Sequence, residues 1–455
     1  MTNTSWPLPI LPLEILGHIV ELYAVDSIDE GGRSSSSLCA LLSASLGLRD
    51  CALRVLCRDV AINCGDPQRN RKLREVLIPQ TTNCRLGSIA PYVKAVHMML
   101  FQCTSSPEAL DEIFSLVDVI VKESCVCRII LDGMNRQDDM MEDDDPFVEC
   151  LWRGLPLGMI QNTHKLIRMP TVDTLEVYAV LGLNQYLFEE ESSSKGRISL
   201  TDIKTTRVTN HRFRSLAFKN SPMPYNIVLP NLKSIVADNL NPTQLQNVWK
   251  ISLHAQEALE ELEIDDEFFD NVPFFADTDN YEETCTIPPS TRMDMFPKLK
   301  VFRYSHVLFD PDATGAPTSF PQISFFAISN PVPELQSLSL AIRWGNVFSL
   351  EFAAHSKEEA ITRMADPAWS LLDGILTMPG YFPNLRYFRL TLSQDVQLSM
   401  EDFLSDVQGS PCSRVTADDL QSQIAKSLCP SFCRLLKHPS ILFRLDIEVT
   451  VEESV

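Results

Sequence analysis

Along this chain one arrangement of apolar and polar positions keeps returning: an apolar residue, two of any type, an apolar residue, one of any type, and a third apolar residue. It stands at Val93/Val96/Met98, Val126/Ile129/Leu131, Val172/Leu175/Val177, Phe213/Leu216/Phe218 and Leu232/Ile235/Ala237. It continues at Leu259/Leu262/Ile264, Leu299/Phe302/Tyr304, Leu335/Leu338/Leu340, Leu385/Phe388/Leu390 and Leu442/Leu445/Ile447. Alternation in the last three positions places two apolar side chains on one face of a short strand. One such match means little, because apolar residues are abundant. A shared preamble adds weight: Leu229-Pro230-Asn231-Leu232-Lys233, Phe296-Pro297-Lys298-Leu299-Lys300 and Phe382-Pro383-Asn384-Leu385-Arg386. A proline two residues before the first apolar position suits the start of a strand, where no ladder donor is needed.

The segments between these strands read as capped helices. Ser106-Pro107-Glu108 opens one, with Leu110, Ile113, Phe114, Val117, Ile120 and Val121 on one stripe. Asn241-Pro242 opens another, with Leu245, Val248 and Trp249 inward, and Asp366-Pro367 a third, with Trp369, Leu372 and Ile375. A capping residue followed by proline is a helix-start signal. Strand, helix and strand at a stride of 27 residues (Leu232 to Leu259) is a repeating unit, and other strides run from 19 to 57. The expected fold class is therefore α/β, with parallel strands inside and helices outside, in repeats that bury their apolar faces by stacking. Non-periodic stretches near 26–37, 132–146, 184–210, 265–294 and 306–333 are expected to be long loops.

The first sixty residues have a different rhythm. Leu11-Pro12-Leu13-Glu14-Ile15-Leu16, then Ile19 and Leu22, begins a short helix with proline in its first turn. After the serine run Ser34 to Ser37 come Leu38, Leu41, Leu42 and Leu46, then Leu53, Leu56 and Val60. These predict two further amphipathic helices, with Asp59-Val60-Ala61-Ile62 leading into a first strand. A three-helix module this small buries little core alone and gains by packing on a partner helix. The plainer reading is an N-terminal cap on the open end of the repeat array.

On these residues, Leu8 to Ile62 resembles an F-box, especially of the fungal type, with Val55-Leu56-Cys57-Arg58 where that family has a Leu-Phe-Arg run. The family's Val-Cys-Arg-x-Trp stretch is replaced by Ser45-Leu46-Gly47-Leu48-Arg49. Tyr92 to Val449 resembles the degenerate leucine-rich-repeat domains of adaptor proteins, without the consensus asparagine. The resemblance divides the chain into an F-box-like helical module over 1–62 and an irregular leucine-rich-repeat solenoid with long acidic insert loops over 63–455. It implies docking onto the small SKP-type adaptor of a cullin–RING ubiquitin ligase through Leu11, Pro12, Glu14, Ile15 and Leu16, while the solenoid presents a client protein. Any rate effect would come from proximity. The alternative is a leucine-rich-repeat scaffold with no ubiquitin-ligase role.

Composition narrows the classes. Of 455 residues, 39 are Lys or Arg and 60 Asp or Glu, a net charge of -21. That balance argues against a general nucleic-acid binder, whose affinity rests on cations. No apolar run reaches membrane-spanning length, and Pro7, Pro9, Pro12 and Glu14 are unlike a signal peptide. The 13 cysteines, closest at Cys125/Cys127 and Cys429/Cys433, offer no second half-site for zinc and suit reduced thiols in the cytoplasm or nucleus. No GxSxG elbow, phosphate loop or HExxH occurs, and the eight histidines fall singly, so neither enzyme activity nor a cofactor is expected.

Two acidic tracts remain, Asp138 to Asp145 and Glu257 to Glu283; the second holds twelve carboxylates, no Lys or Arg, and Phe268-Phe269, Phe274-Phe275 and Tyr281. Through Asp265, Asp266, Glu267, Phe268 and Phe269 it could engage a basic client, by long-range attraction and aromatic anchoring. The plainer reading is a solvated loop with its Phe pairs tucked against the repeats. For Arg69, Arg71, Lys72 and Arg74 a solvated helix face is expected.

Overall fold

The recurring triplets become parallel strands. The structure, a computed structural model, describes residues 52–78, 88–100, 106–134, 150–183, 185–188, 208–219, 221–224, 226–238, 242–265, 287–288, 290–309, 323–345, 367–398 and 417–453. The chain divides into two units, Met1–Lys195 and Gly196–Val455. In the first, β1 (Asp59–Asn63), β2 (Ala95–Met99), β3 (Arg128–Asp132) and β5 (Thr174–Tyr178) lie side by side, all parallel. A small ladder joins β4 (Cys150–Leu151) to β6 (Val180–Leu181). The helices are α1 (Pro67–Leu77), α2 (Pro107–Glu123) and α3 (Leu157–Ile167).

In the second unit β8 (Ser215–Lys219), β10 (Ser234–Ala237), β11 (Glu261–Asp265), β12 (Val301–Phe309), β13 (Ser337–Gly345), β14 (Tyr387–Leu398) and β15 (Leu442–Glu453) pair in that order, again parallel. A second small ladder joins β7 (Val208–Thr209) to β9 (Ile227–Val228). The helices here are α4 (Pro242–His254), α5 (Ile323–Phe326), α6 (Ala368–Leu376) and α7 (Ala417–Leu428). Both units are thus α/β, as the alternation of strand and helix patterns predicts. Among the described residues, no helix is long and apolar enough to cross a membrane.

Register makes the repeats equivalent. In the second unit Leu216, Ile235, Leu262, Phe302, Leu338 and Phe388 line up in one row, and Phe218, Ala237, Ile264, Tyr304, Leu340 and Leu390 in another. All twelve are at most 2% exposed. The carbonyl just before a strand accepts two successive N–H groups from the next repeat. Lys94 O takes Cys127 N (2.8 Å) and Arg128 N (3.1 Å), and Lys300 O takes Gln336 N (2.8 Å) and Ser337 N (3.0 Å). Insertions between repeats leave this junction unchanged, which is why irregular strides still give a regular sheet.

The prolines act one step earlier than a strand start. Leu232 N bonds Leu229 O (3.1 Å), Leu299 N bonds Phe296 O (3.1 Å) and Leu385 N bonds Phe382 O (3.2 Å), so each proline is the second residue of a turn that delivers the first buried leucine. Proline's fixed φ suits that position. The asparagine after it reaches back to the preceding repeat: Asn231 Nδ2 donates to His211 O and Asn384 Nδ2 to Pro333 O, both at 2.7 Å.

Three details differ from the sequence pattern. The α2 stripe is rotated, since Phe114 is exposed and Ala109 and Leu116 are buried in its place. Within 306–333, β12 runs on to Phe309 and α5 buries Phe325 and Phe326. Finally, Leu442 pairs with Tyr387 on the open face, and Phe443 takes the core position, stacked 5.2 Å from Phe388. The run Ile441-Leu442-Phe443 has no alternation of its own, so its register is set by the neighbouring strand.

Candidate interaction face

The residues between the buried rows point the other way, and in the second unit they form an ordered charged surface. One outward row reads Glu263, Arg303, Ser339, Arg389, Arg444 and its neighbour Glu261, Val301, Ser337, Tyr387, Leu442. On the β11 side Lys233 and Lys300 each donate to Glu260 at 2.6 Å. Those two hydrogen bonds, from Lys233 first and then Lys300, hold the Glu260 carboxyl at about 2. Arg303 Nη1 donates to Glu263 at 2.5 Å. On the β15 side Asp446 accepts from Arg389 Nε and Arg444 Nε, both at 2.8 Å. Burial works against the Asp446 carboxylate, but the hydrogen bonds from Arg444 and Arg389 outweigh it and lower its pKa.

Solvated ion pairs contribute little stability each, so this network matters mainly for the orientation it gives its side chains. Two large apolar side chains interrupt it: Tyr387 is 57% exposed and Leu442 66%, and they are register partners. Sequence spacing could not reveal this grouping, because the residues come from strands separated by insertions of unequal length.

The first unit has its own polar side. Arg128 donates to Glu176 through Nε (2.7 Å) and Nη2 (2.8 Å), and Tyr178 Oη donates to the same carboxylate at 3.1 Å. His97 Nε2 lies 2.9 Å from Asp132 Oδ2, and Asp132 also accepts the Met134 N–H at 2.9 Å. The basic run on α1 is tied down in part: Arg71 Nε and Arg74 Nη2 pair with Glu112 of α2 at 3.0 and 3.2 Å.

Between α2 and α3 lies a cleft of about 650 Å³ lined by Val121, Leu157, Ile160, His164, Lys165 and Met169, among others. His164 stacks on Trp152 with ring centroids 6.3 Å apart. Burial first, and then the nearby Arg168 cation, push its pKa down to about 4. An unfolded histidine protonates near pH 6.5, so between that value and about 4 the unfolded chain binds the extra proton. Stability of the first unit is therefore expected to rise with pH across this window and to be lost as pH falls through it. His164→Gln should flatten that dependence in melting curves recorded at a series of pH values; an unchanged slope would assign it elsewhere.

The structure places few of the residues singled out by sequence as docking groups. Leu11, Pro12, Glu14, Ile15 and Leu16 lie outside the described residues, as do Asp266, Glu267, Phe268 and Phe269 and the tract from Asp138 to Asp145. Asp265 is the last residue of β11 and half-buried. Among the described residues no group of three or more His, Cys, Asp or Glu could hold a metal ion. Cys125, Cys127, Cys429 and Cys433 are free thiols. No family model matches the chain, and no curated protein matches it.

Proposed function

We propose that this chain is a substrate-recognition adaptor of an SCF-type cullin–RING ubiquitin ligase, with an F-box-like segment ahead of a leucine-rich-repeat solenoid. In this reading Leu11, Pro12, Glu14, Ile15 and Leu16 dock an SKP-type adaptor, and the repeats hold a client protein near the ubiquitin-charged enzyme. One observation supports it most directly: parallel repeats follow the F-box-like sequence, and their outward rows carry a solvated, ion-paired surface with exposed Tyr387 and Leu442. Repeat arrays bind partners through extended surfaces of this kind, and the chain would act by bringing reactants together. The compartment that fits is the cytoplasm or nucleus.

Co-purification with a fungal SKP-type adaptor tests the docking half. The wild-type chain should form a one-to-one complex, and Pro12→Ala/Ile15→Asp should lose it while remaining folded. A folded wild type indifferent to the adaptor would leave a repeat scaffold without a ligase role, its N-terminal helices serving as a cap.

A further inference from the structure

The outward face between β13 and β15 is rich in guanidiniums, although β15 also presents Asp446 and Glu448 on it. In a protein of net charge -21 it gathers three guanidiniums, from Arg386, Arg389 and Arg444, around the exposed pair Tyr387 and Leu442. Arg389 and Arg444 share one carboxylate, Asp446, and Arg386 forms no ion pair among the described residues. A guanidinium has five N–H donors, so binding Asp446 through Nε leaves most of that capacity facing solvent. On one flank β13 presents Ser337, Ser339 and Ala341 outward ahead of the exposed Arg343, a low strip between Arg303 of β12 and Arg389 of β14. Those two arginines stand two strand spacings apart, about 10 Å.

Exposed tyrosine beside guanidiniums is the residue chemistry of an interaction hot spot, and arginine suits planar anions better than a point charge would. We infer that this face docks an extended acidic segment of a partner protein, its anionic side chains on Arg386, Arg389 and Arg444 and one apolar side chain on Tyr387 and Leu442. The inference rests on the client-binding reading above and supplies its chemistry. A nucleic acid carries a charge on every nucleotide and so meets the long-range repulsion of a net-negative chain more strongly than a short acidic segment does. A local cationic patch with an apolar centre selects instead a segment that brings both features together.

The test is fluorescence anisotropy on the full chain, with a labelled peptide carrying a leucine between glutamates. Partner peptides replace the glutamates by phosphoserine or by lysine, or the leucine by serine. The acidic peptide should bind and the lysine peptide should not, and the tighter of the glutamate and phosphoserine peptides identifies the natural anion. Arg389→Glu/Arg444→Glu should weaken binding by at least about tenfold and flatten its salt dependence. Arg386→Glu, at an exposed position with no ion pair among the described residues, should act in the same direction and cannot be dismissed as a folding defect. Tyr387→Ser should weaken binding while leaving the salt dependence intact.

Equal binding of acidic and basic peptides, indifference to all three variants, or equally tight binding of a single-stranded oligonucleotide would overturn the inference. So would a self-association lost in Arg386→Glu, which would assign the face to a second copy. Adaptor co-purification of the same variants separates the two proposals. Loss of peptide with the adaptor complex intact speaks to this face alone, and the reverse removes only the ligase reading.

Discussion

Phe302→Ala is expected to destabilise the second unit by about 3–5 kcal/mol, the usual cost of emptying an aromatic site in a tightly packed core. The site has little room to collapse. Phe302 is fully buried on β12, with the Phe325 ring 5.0 Å away, Phe326 6.4 Å and Tyr304 6.2 Å. Phe325 in turn lies 5.7 Å from Trp249 of α4. One ring therefore links a strand, the short helix α5 and the helix of the preceding repeat. Urea unfolding followed by tryptophan fluorescence reads the loss, since Trp249 reports on the same cluster. Phe302→Leu, which keeps most of the volume, should cost less than half as much. A loss below about 1 kcal/mol for the alanine variant would mean that the cluster relaxes freely and is not what ties the repeats together.

How much of this was legible in sequence depends on which side of the strand is asked about. The buried side was, because the apolar triplets and their proline turns repeat in each unit whatever lies between them. Leu335/Leu338/Leu340 and Leu385/Phe388/Leu390 fall where the pattern puts them. The pattern failed where local alternation vanishes. At Ile441-Leu442-Phe443 several apolar residues compete for one core place, and pairing with Tyr387 and Phe388 decides between them. It also failed at α5, too short for a helical period to show, although its Phe325 and Phe326 complete the core around Phe302.

The outward side was not legible. Arg303, Arg389 and Arg444 have no relation in sequence, and become one row only when three insertions of different length are folded away and register is fixed. The acidic stretch from Glu257 stands out in sequence because its charges are close together. Its first part becomes the Glu260 and Glu263 counterions to Lys233, Lys300 and Arg303. The sequence therefore pointed to a basic partner for the acidic tract, whereas the folded sheet adds a basic patch suited to an acidic one.

The second large effect belongs to the first unit, at the exit of β3. Gly133→Ala is expected to cost about 3 kcal/mol or more, combining overpacking with a weakened hydrogen bond. Gly133 N donates to Tyr178 O at 2.8 Å, which brings its Cα against the turn after β5. A Cβ there would overlap the Ala179 carbonyl oxygen and come within 2.7 Å of Cys150 Cβ. Neither can yield easily: Ala179 O accepts the Cys150 N–H at 3.0 Å, and Ala179 itself is held in the left-handed region at φ 50. That conformation is unfavourable for any residue with a side chain, so Ala179→Gly should move stability the other way, by up to about 1 kcal/mol. The pair of variants isolates the turn, because the two substitutions face each other across one backbone contact. Thermal melts should separate them in opposite directions from wild type. If both destabilise, the close approach is not what fixes the turn, and the cost at Gly133 must lie in Asp132, whose carboxylate accepts the Met134 N–H and holds His97.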